Sequence, residues 1–410
     1  MMKNKKSTAI LLGVSFVWFT THFGGGFASG AQIYSYYVRY GIWCLLMPVF
    51  AMLYNAVFFA YSLRFARKHE VYDYRSYNNA FYGRFAPVFS NLFEVLYLCV
   101  MCVAPAVAFA TGGATLSALT GLPYLLCTFI IGVFIFVVAI FGTDLVRRVA
   151  SVLSICIIAG LLIVYIPNII TGLPQITDAM GAMTAQKLPL PDALYSAFIY
   201  GTFQLSNIAV FVQHAKSFEK PGDAIKSMGV GFVINALMMV MVVLGLMTVY
   251  TNPEAATQDV PTLFMVQNGV GASFMTPLIS ILIILGAVST AVNMVATMVK
   301  RLCKDDRQTS ARQAEATSAG AAASAADATD AEAAIPYPAA AKHRRWNISG
   351  KEVLAAFLCC IVDFGIAQFG LLTLIQKAYS SIAYLAIPVI LIPYVIHMVV
   401  TRMDTKDKKQ

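Results

Sequence analysis

The chain reads as an all-α polytopic membrane protein of ten transmembrane helices, arranged as a five-plus-five inverted repeat with helices 1 and 6 broken. Three observations predict this. Hydrophobic residues make up 59% of the chain and charged residues only 12%, with a mean hydropathy of +0.72, whereas ordinary soluble domains carry roughly 25% charged residues. Apolar windows long enough to cross a hydrocarbon core of about 30 Å recur along the whole sequence. All of the 29 Lys and Arg residues except Arg39, Lys187 and Lys377 fall in the tails or in alternate connections, the asymmetry that the positive-inside rule requires. The same distribution accounts for the net charge of +9 without a nucleic-acid partner, because the basic residues lie between apolar runs rather than on one soluble face. Both termini are expected on the cytoplasmic side of the cell membrane.

The windows lie near 8–38, 42–63, 87–111, 123–143, 149–168, 192–213, 227–250, 274–299, 352–372 and 380–400. The first is the most informative. Its middle reads Phe23-Gly24-Gly25-Gly26-Phe27-Ala28-Ser29-Gly30, and each Gly costs a helix roughly 1 kcal/mol against Ala. Non-helical backbone is tolerated at membrane depth only where protein or a water-filled cavity satisfies the freed N–H and C=O groups, so the run predicts a broken helix beside a solute site. Tight helix packing through small residues is the competing reading. Lys3, Lys5 and Lys6, the apolar run and Ala28-Ser29-Gly30 also have the form of a secretory signal. The run continues through Ile33, Tyr34, Tyr36 and Tyr37, so an uncleaved first span is expected.

Windows two and three are separated by a long connection, Arg64 to Ala86, and windows seven and eight by another, Thr251 to Ser273. Each connection holds the same place in its set of five. Five being odd, the two sets enter the membrane from opposite sides, as a pseudo-two-fold axis in its plane requires. Helix six should then be interrupted like helix one, within Tyr200-Gly201-Thr202-Phe203-Gln204-Leu205. From Lys304 the composition turns to Ala, Ser, Thr, Asp and Gln as far as the basic Lys342-His343-Arg344-Arg345, a stretch too poor in large apolar residues to bury a core. The expected organisation is helices one to eight over 1–302, a disordered cytoplasmic linker over 303–348, and helices nine and ten with a tail over 349–410.

A helix that stops in mid-membrane offers unsatisfied N–H groups and the positive end of its dipole to an anionic group. Gly24, Gly25, Gly26, Phe27, Ala28 and Ser29 are therefore the first candidate substrate-binding residues. Gly201 and Thr202 are expected to face them, with Tyr200, Phe203 and Gln204 shaping the pocket. Ser289 and Thr290, adjacent hydroxyls in helix eight, are candidate ligands for a hard cation such as Na⁺; bonding to their own helix carbonyls is the alternative. His22, one turn before the glycines, and Glu94 in helix three are candidate proton-coupling groups. Asp363 in helix nine reads as a packing residue. Seven of the eight Cys fall inside predicted helices, and Cys99 and Cys102 lack the turn or basic setting of a redox or zinc site.

The Gly24 to Gly30 run in helix one, together with Tyr200-Gly201-Thr202-Phe203-Gln204-Leu205 in helix six, resembles the YkvI-like membrane proteins, regarded as amino-acid permeases of the amino acid–polyamine–organocation superfamily. The resemblance covers the ten spans and not the Ala-rich insert. It implies the inverted-repeat fold of the leucine transporter type, with amino acids or similar solutes as substrate. It also implies a sodium ion between helices one and eight, held by Ser289, Thr290 and carbonyls near Thr20 and Phe23. Many relatives carry Gln-Glu after the last motif Gly where this chain has Ala31-Gln32, which bears on any cation or proton coupling. The expected function is a secondary active transporter working by alternating access, a symporter with Na⁺ or H⁺ as coupling ion, no other cofactor, no catalytic residues and no obligate protein partner. A channel, and an intramembrane enzyme using Glu94 and Asp363 as an acid pair, are the other classes considered.

Overall fold

A computed structural model describes residues 2–141, 143–303 and 349–404; the linker expected between spans eight and nine lies outside them. Among the described residues there is helix and no strand. The first apolar segment is divided into α1 (Met2–His22), α2 (Gly25–Ala28) and α3 (Ala31–Tyr36). A 3₁₀ stretch, Val38–Leu45, leads into α4 (Met47–Lys68). There follow α5 (Tyr74–Tyr82), α6 (Ala86–Thr120), α7 (Tyr124–Phe141), α8 (Thr143–Thr171) and α9 (Leu173–Ala185). The second half comprises α10 (Leu190–Gln204), α11 (Ile208–Phe211), α12 (Asp223–Met247), α13 (Pro261–Gln267) and α14 (Ala272–Leu302). The last two are α15 (Gly350–Ala367) and α16 (Leu371–Val400), the latter carrying π-helical turns at Leu374–Ala378 and Ile387–Leu391.

Six of these helices are long and apolar enough to cross a membrane, or seven if α8 and α9, bent by 76° at Gly172, count as one span. The chain is therefore a multi-pass, all-helical membrane protein. The other three expected windows also fall on helix, each with a physical reason for missing that standard. The first is interrupted by its glycines. The sixth leaves α geometry after Gln204. The ninth, α15, is only 18 residues long and includes Lys351, Glu352 and Asp363. Span two begins at Met47 rather than 42, because Gly41 takes a left-handed φ of 67° and Pro48 suits only the first turn of a helix. The helix α9 that leaves span five was not anticipated in the sequence; it starts at a Gly172-Leu173-Pro174 punctuation.

The core is built from close approaches between helices. Trp18 of α1 lies over Gly231 of α12, where an added Cβ would stand 2.5 Å from the indole, and the same ring meets Phe59 of α4 edge-on at 5.3 Å. Below it, Ser15 Oγ donates to the Ser227 carbonyl at 2.6 Å and Ser227 Oγ to the Leu11 carbonyl at 2.8 Å. The first segment is thus built into the bundle. Between α6 and α7, Gly112 and Gly113 receive Ile131 and Thr128 while Gly132 receives Phe109, small residues allowing the backbone contact that hydrocarbon surroundings do not otherwise drive.

At the far end of α16 the chain turns back through Arg402, Met403 and Asp404, with φ of 49°, 58° and 57°. Left-handed backbone costs an L-residue about 1–2 kcal/mol, so this turn needs compensation. Asp404, 7% exposed, supplies it: Lys68 Nζ donates to its carbonyl at 2.7 Å and lies 3.5 Å from the carboxylate, and His69 Nε2 lies 3.3 Å away. The turn clasps the end of α4 to the end of α16. Asp404→Asn is expected to open the clasp, with trypsin cutting after Arg402 about tenfold faster than in the parent, as followed by mass spectrometry; an unchanged cleavage rate would count against this account of the turn.

Candidate functional site

The first segment is interrupted, and the bonds that hold the interruption come partly from its own turn and partly from α13. The helix α1 ends with Phe23 N–H donating to Phe19 O at 2.8 Å; Phe23 and Gly24 are non-helical. In the single turn that follows, the N–H groups of Phe27 and Ala28 both donate to Gly24 O, at 3.0 and 3.1 Å. Ser29 Oγ donates to Gly26 O at 3.0 Å and accepts from Ala31 N–H at 3.3 Å. The Ser29 carbonyl accepts from Thr262 N–H of α13 at 2.9 Å, and Thr262 Oγ1 lies 2.7 Å from the Tyr165 hydroxyl of α8. Gly30 is required twice over. Its φ is 79°, and a Cβ would stand 2.6 Å from Thr262 Oγ1 and 3.1 Å from Thr262 N.

Beside the break runs a buried chain of hydrogen bonds that joins four segments. His22 Nδ1 lies 2.8 Å from Asn235 Oδ1 of α12, and His22 Nε2 lies 2.6 Å from the Tyr200 hydroxyl of α10. Tyr200 Oη is 3.4 Å from Gln32 Oε1 of α3, and the Gln32 carboxamide folds back over Gly26, where a Cβ would stand 2.6 Å from Nε2. His22, Asn235, Tyr200 and Gln32 are all buried. Aromatic rings enclose the chain. Phe23 and Phe27 approach to 4.0 Å, and Tyr36 and Tyr37 meet Tyr200 at 5.2 and 5.3 Å. Sequence reasoning missed Asn235 and Thr262 as members of this site, while Gln32 was marked only through the family resemblance. A lone amide within an apolar helix was the available signal for Asn235; for Thr262, in a loop helix, there was none.

Helix six departs from the expected break. The backbone keeps right-handed helical dihedrals through Gln204 and tightens to 3₁₀ only at Leu205–Asn207, so the interruption is a change of helix type rather than a gap. The reason lies on α4. Leu205 N–H turns to Thr202 O and Phe203 O, and Asn55 Nδ2 donates to Gly201 O at 2.7 Å. Gly201 itself serves packing, since a Cβ there would stand 2.6 Å from the Tyr54 ring, and Thr202 Oγ1 lies 3.2 Å from the Tyr54 hydroxyl. Gly201 and Thr202 therefore face α4, whereas Tyr200 faces the break. Phe203 stacks on Tyr379 of α16 at 4.2 Å, and Gln204 Oε1 accepts from Asn207 Nδ2 at 2.7 Å.

Thr20, Phe23, Ser289 and Thr290 come together in the lining of one cavity of about 340 Å³ between the end of α1 and the middle of α14. Gly24 adjoins it, a Cβ there standing 3.6 Å from Thr290 Oγ1. Thr290 Oγ1 donates to Gly286 O at 3.0 Å and Thr20 Oγ1 to Val17 O at 3.2 Å, so both hydroxyls are bonded to their own helices, with lone pairs left over for a cation. The side-chain donors are hydroxyls, suited to a hard monovalent ion. Among the described residues no group of three His, Cys, Asp or Glu side chains stands ready for a metal.

Glu94 lies elsewhere. It is ion-paired with Arg301 at the end of α14 and accepts the Tyr74 hydroxyl of α5, while the Arg301 guanidinium sits 5.0 Å from the ring centres of both Tyr74 and Tyr97. Asp363 is buried on α15. The eight cysteines form no disulfide.

No family model matches the chain, and no curated protein matches it. Among solved structures it is similar to the Eremococcus coleocola manganese transporter in complex with an aromatic bis-isothiourea substituted compound, at 14% identity over 98% of this chain and 72% of that one, with a TM-score of 0.42.

The geometry at residue 30 makes a direct prediction. Gly30→Ala should destabilise the protein by about 2 kcal/mol or more, combining left-handed strain with the collision against Thr262; thermal melting in detergent would read it. Gly181→Ala, at a helical site with nothing within 4 Å of its Cβ, should be neutral or stabilising.

Proposed function

We propose that this chain is a secondary active transporter of amino acids or related small solutes, working by alternating access. The observation that carries the reading is the interruption at residues 23–30, placed in the middle of an apolar segment and bonded to α13 instead of continuing as helix. Broken backbone at that depth is costly unless it lines a site, and in secondary transporters it is where solute and coupling ion are held. The buried chain from Asn235 to Gln32 supplies polar contacts beside the break, and the aromatic rings around it exclude water.

The pairings of helices support a ten-span inverted repeat. The helix α4 packs along α12 and α6 along α14, while α1 packs on α12 as α10 does on α4. Exchanging the two sets of five maps α4–α12 and α6–α14 onto themselves and α1–α12 onto α10–α4, which is how a two-fold axis in the membrane plane behaves. The connections after α4 and after α12 each carry a short helix, α5 and α13. Both termini then lie on the basic, cytoplasmic side of the cell membrane.

Sodium is the coupling ion this reading favours, at the cavity of Thr20, Phe23, Ser289 and Thr290. It would tie α1 to α14 across the break and stabilise the occluded state together with solute. Of the two proton-coupling candidates, His22 belongs to the site, whereas Glu94 serves as a fixed tie between α6 and α14. That pairing also leaves Glu94 ill-placed to act as an acid with Asp363.

Purified protein in liposomes tests the reading. Gradient-dependent uptake or exchange of at least one amino acid is expected; its absence, with a control carrier active in the same vesicles, would overturn the assignment. For Ser289→Ala and Thr290→Ala, half-maximal uptake should require about tenfold more sodium. Unchanged rate and sodium dependence in both variants would remove the cation site.

A further inference from the structure

We propose that the cavity between α13 and the Thr120 end of α6 is a binding site for a primary organic ammonium. It encloses about 210 Å³, and its walls come from α6, α7, α13 and the segment leading into α13. No described residue of α1, α3, α10 or α16 lines it, so it is separate from the break and its polar chain. The assignment stands without the transport reading.

Charge and unused hydrogen-bonding capacity select the ligand. The carboxylate of Asp259 and the carboxamides of Gln258 and Gln267 border the cavity, and none of these three side chains is bonded to another described residue. The helix α6 ends here at Gly121, whose N–H takes the Ser117 carbonyl at 2.8 Å. The carbonyls that follow have no helical partner and form the negative end of the dipole of a 35-residue helix, and Ala118 of that turn lines the cavity. No described Lys or Arg lines it, so carboxylate and dipole together leave an uncompensated negative site.

An inorganic ion suits these walls poorly. A hard metal cation wants several oxygen ligands about one point, whereas a single carboxylate stands here and Ala114, Val260, Leu263 and Phe264 make much of the wall apolar. A primary ammonium has three N–H donors. The Asp259 carboxylate and the two carboxamide oxygens match them in number, and the apolar wall suits a carbon chain. The rings of Tyr124 and Phe264 add aromatic surface, which favours a cation; the Tyr124 hydroxyl proton is already given to the Ala367 carbonyl at 2.7 Å. Thr262, between the wall residues Val260 and Leu263, carries the N–H bonded to the Ser29 carbonyl. An occupant of the cavity therefore braces the helix that is bonded to the break.

The test uses the full chain in nanodiscs, with butylammonium, butyrate, butanol and butyltrimethylammonium as probes, read by thermal melting and by amide hydrogen exchange. Butylammonium should raise the melting temperature and slow exchange across residues 258–267. The other three should do neither at the same concentration. Asp259→Asn, which breaks no bond of the unliganded protein, should melt with the parent when no probe is present and need about tenfold more butylammonium for half its effect. Gln267→Ala should need about threefold more, and it decides the matter if the first variant cannot be purified. Tyr200→Phe, at the break, should respond as the parent does. The proposal is overturned if butylammonium leaves the parent unchanged, if it acts equally on the parent and on Asp259→Asn, or if protection falls on residues 22–36 or 196–207 in place of 258–267. An equal response to butyltrimethylammonium, or to magnesium at the same concentration, would also overturn it, since neither brings N–H donors. None of these readouts involves uptake, so the ammonium site and the transport reading stand or fall separately.

Discussion

The carbonyl and N–H groups released between His22 and Ala31 must be bonded to something other than water, and much of the surrounding structure answers to that constraint. Gly24 O collects two N–H groups, Ser29 closes its own turn through its hydroxyl, and Ser29 O is taken by Thr262 from a different part of the chain. An unmet group in hydrocarbon would cost several kcal/mol. The helix α13 supplies one of these bonds, and α13 is in turn held by the bond between Thr262 and Tyr165 of α8. A short helix in the connection between α12 and α14 becomes part of the site by this route.

The two candidate interruptions use glycine for different purposes. In the first segment the glycines let the chain leave helix geometry, with Gly30 in the left-handed region and Gly26 making room for a side chain from the next turn. In α10 the helix continues, and Gly201 admits the Tyr54 ring of α4. The carbonyl freed by the 3₁₀ turn is a single group, and Asn55 satisfies it. One side chain suffices where only one bond is displaced. A run of displaced bonds needs the neighbouring backbone.

The polar chain from Asn235 to Gln32 links α12, α1, α10 and α3 through groups that each have a defined partner. Four half-satisfied polar residues in this position would destabilise the bundle, whereas a connected set fixes the relative placement of the segments it joins. The cavity at Thr20, Phe23, Ser289 and Thr290 lies on the other side of the same break. The polar chain and the cavity thus share the same few residues at the end of α1.

Six or seven of the spans were legible in the sequence because burying apolar windows in lipid depends on composition and length alone, and the break was legible because three consecutive glycines disfavour a helix locally. The pairing of Ser289 and Thr290 with Thr20 and Phe23 could be anticipated only through resemblance. Gly201 looked like a second break because sequence shows that a side chain is missing and not what fills the space; only the approach of Tyr54 decides between hinge and packing. Asn235 and Thr262 were invisible for a related reason. A hydrogen bond between residues over a hundred positions apart is set by how helices are placed against one another. Composition and local propensity thus determined where the chain enters the membrane and where it must bend, and tertiary packing decided which distant groups meet at the bend, since directional bonds over a few ångströms depend on the assembled bundle.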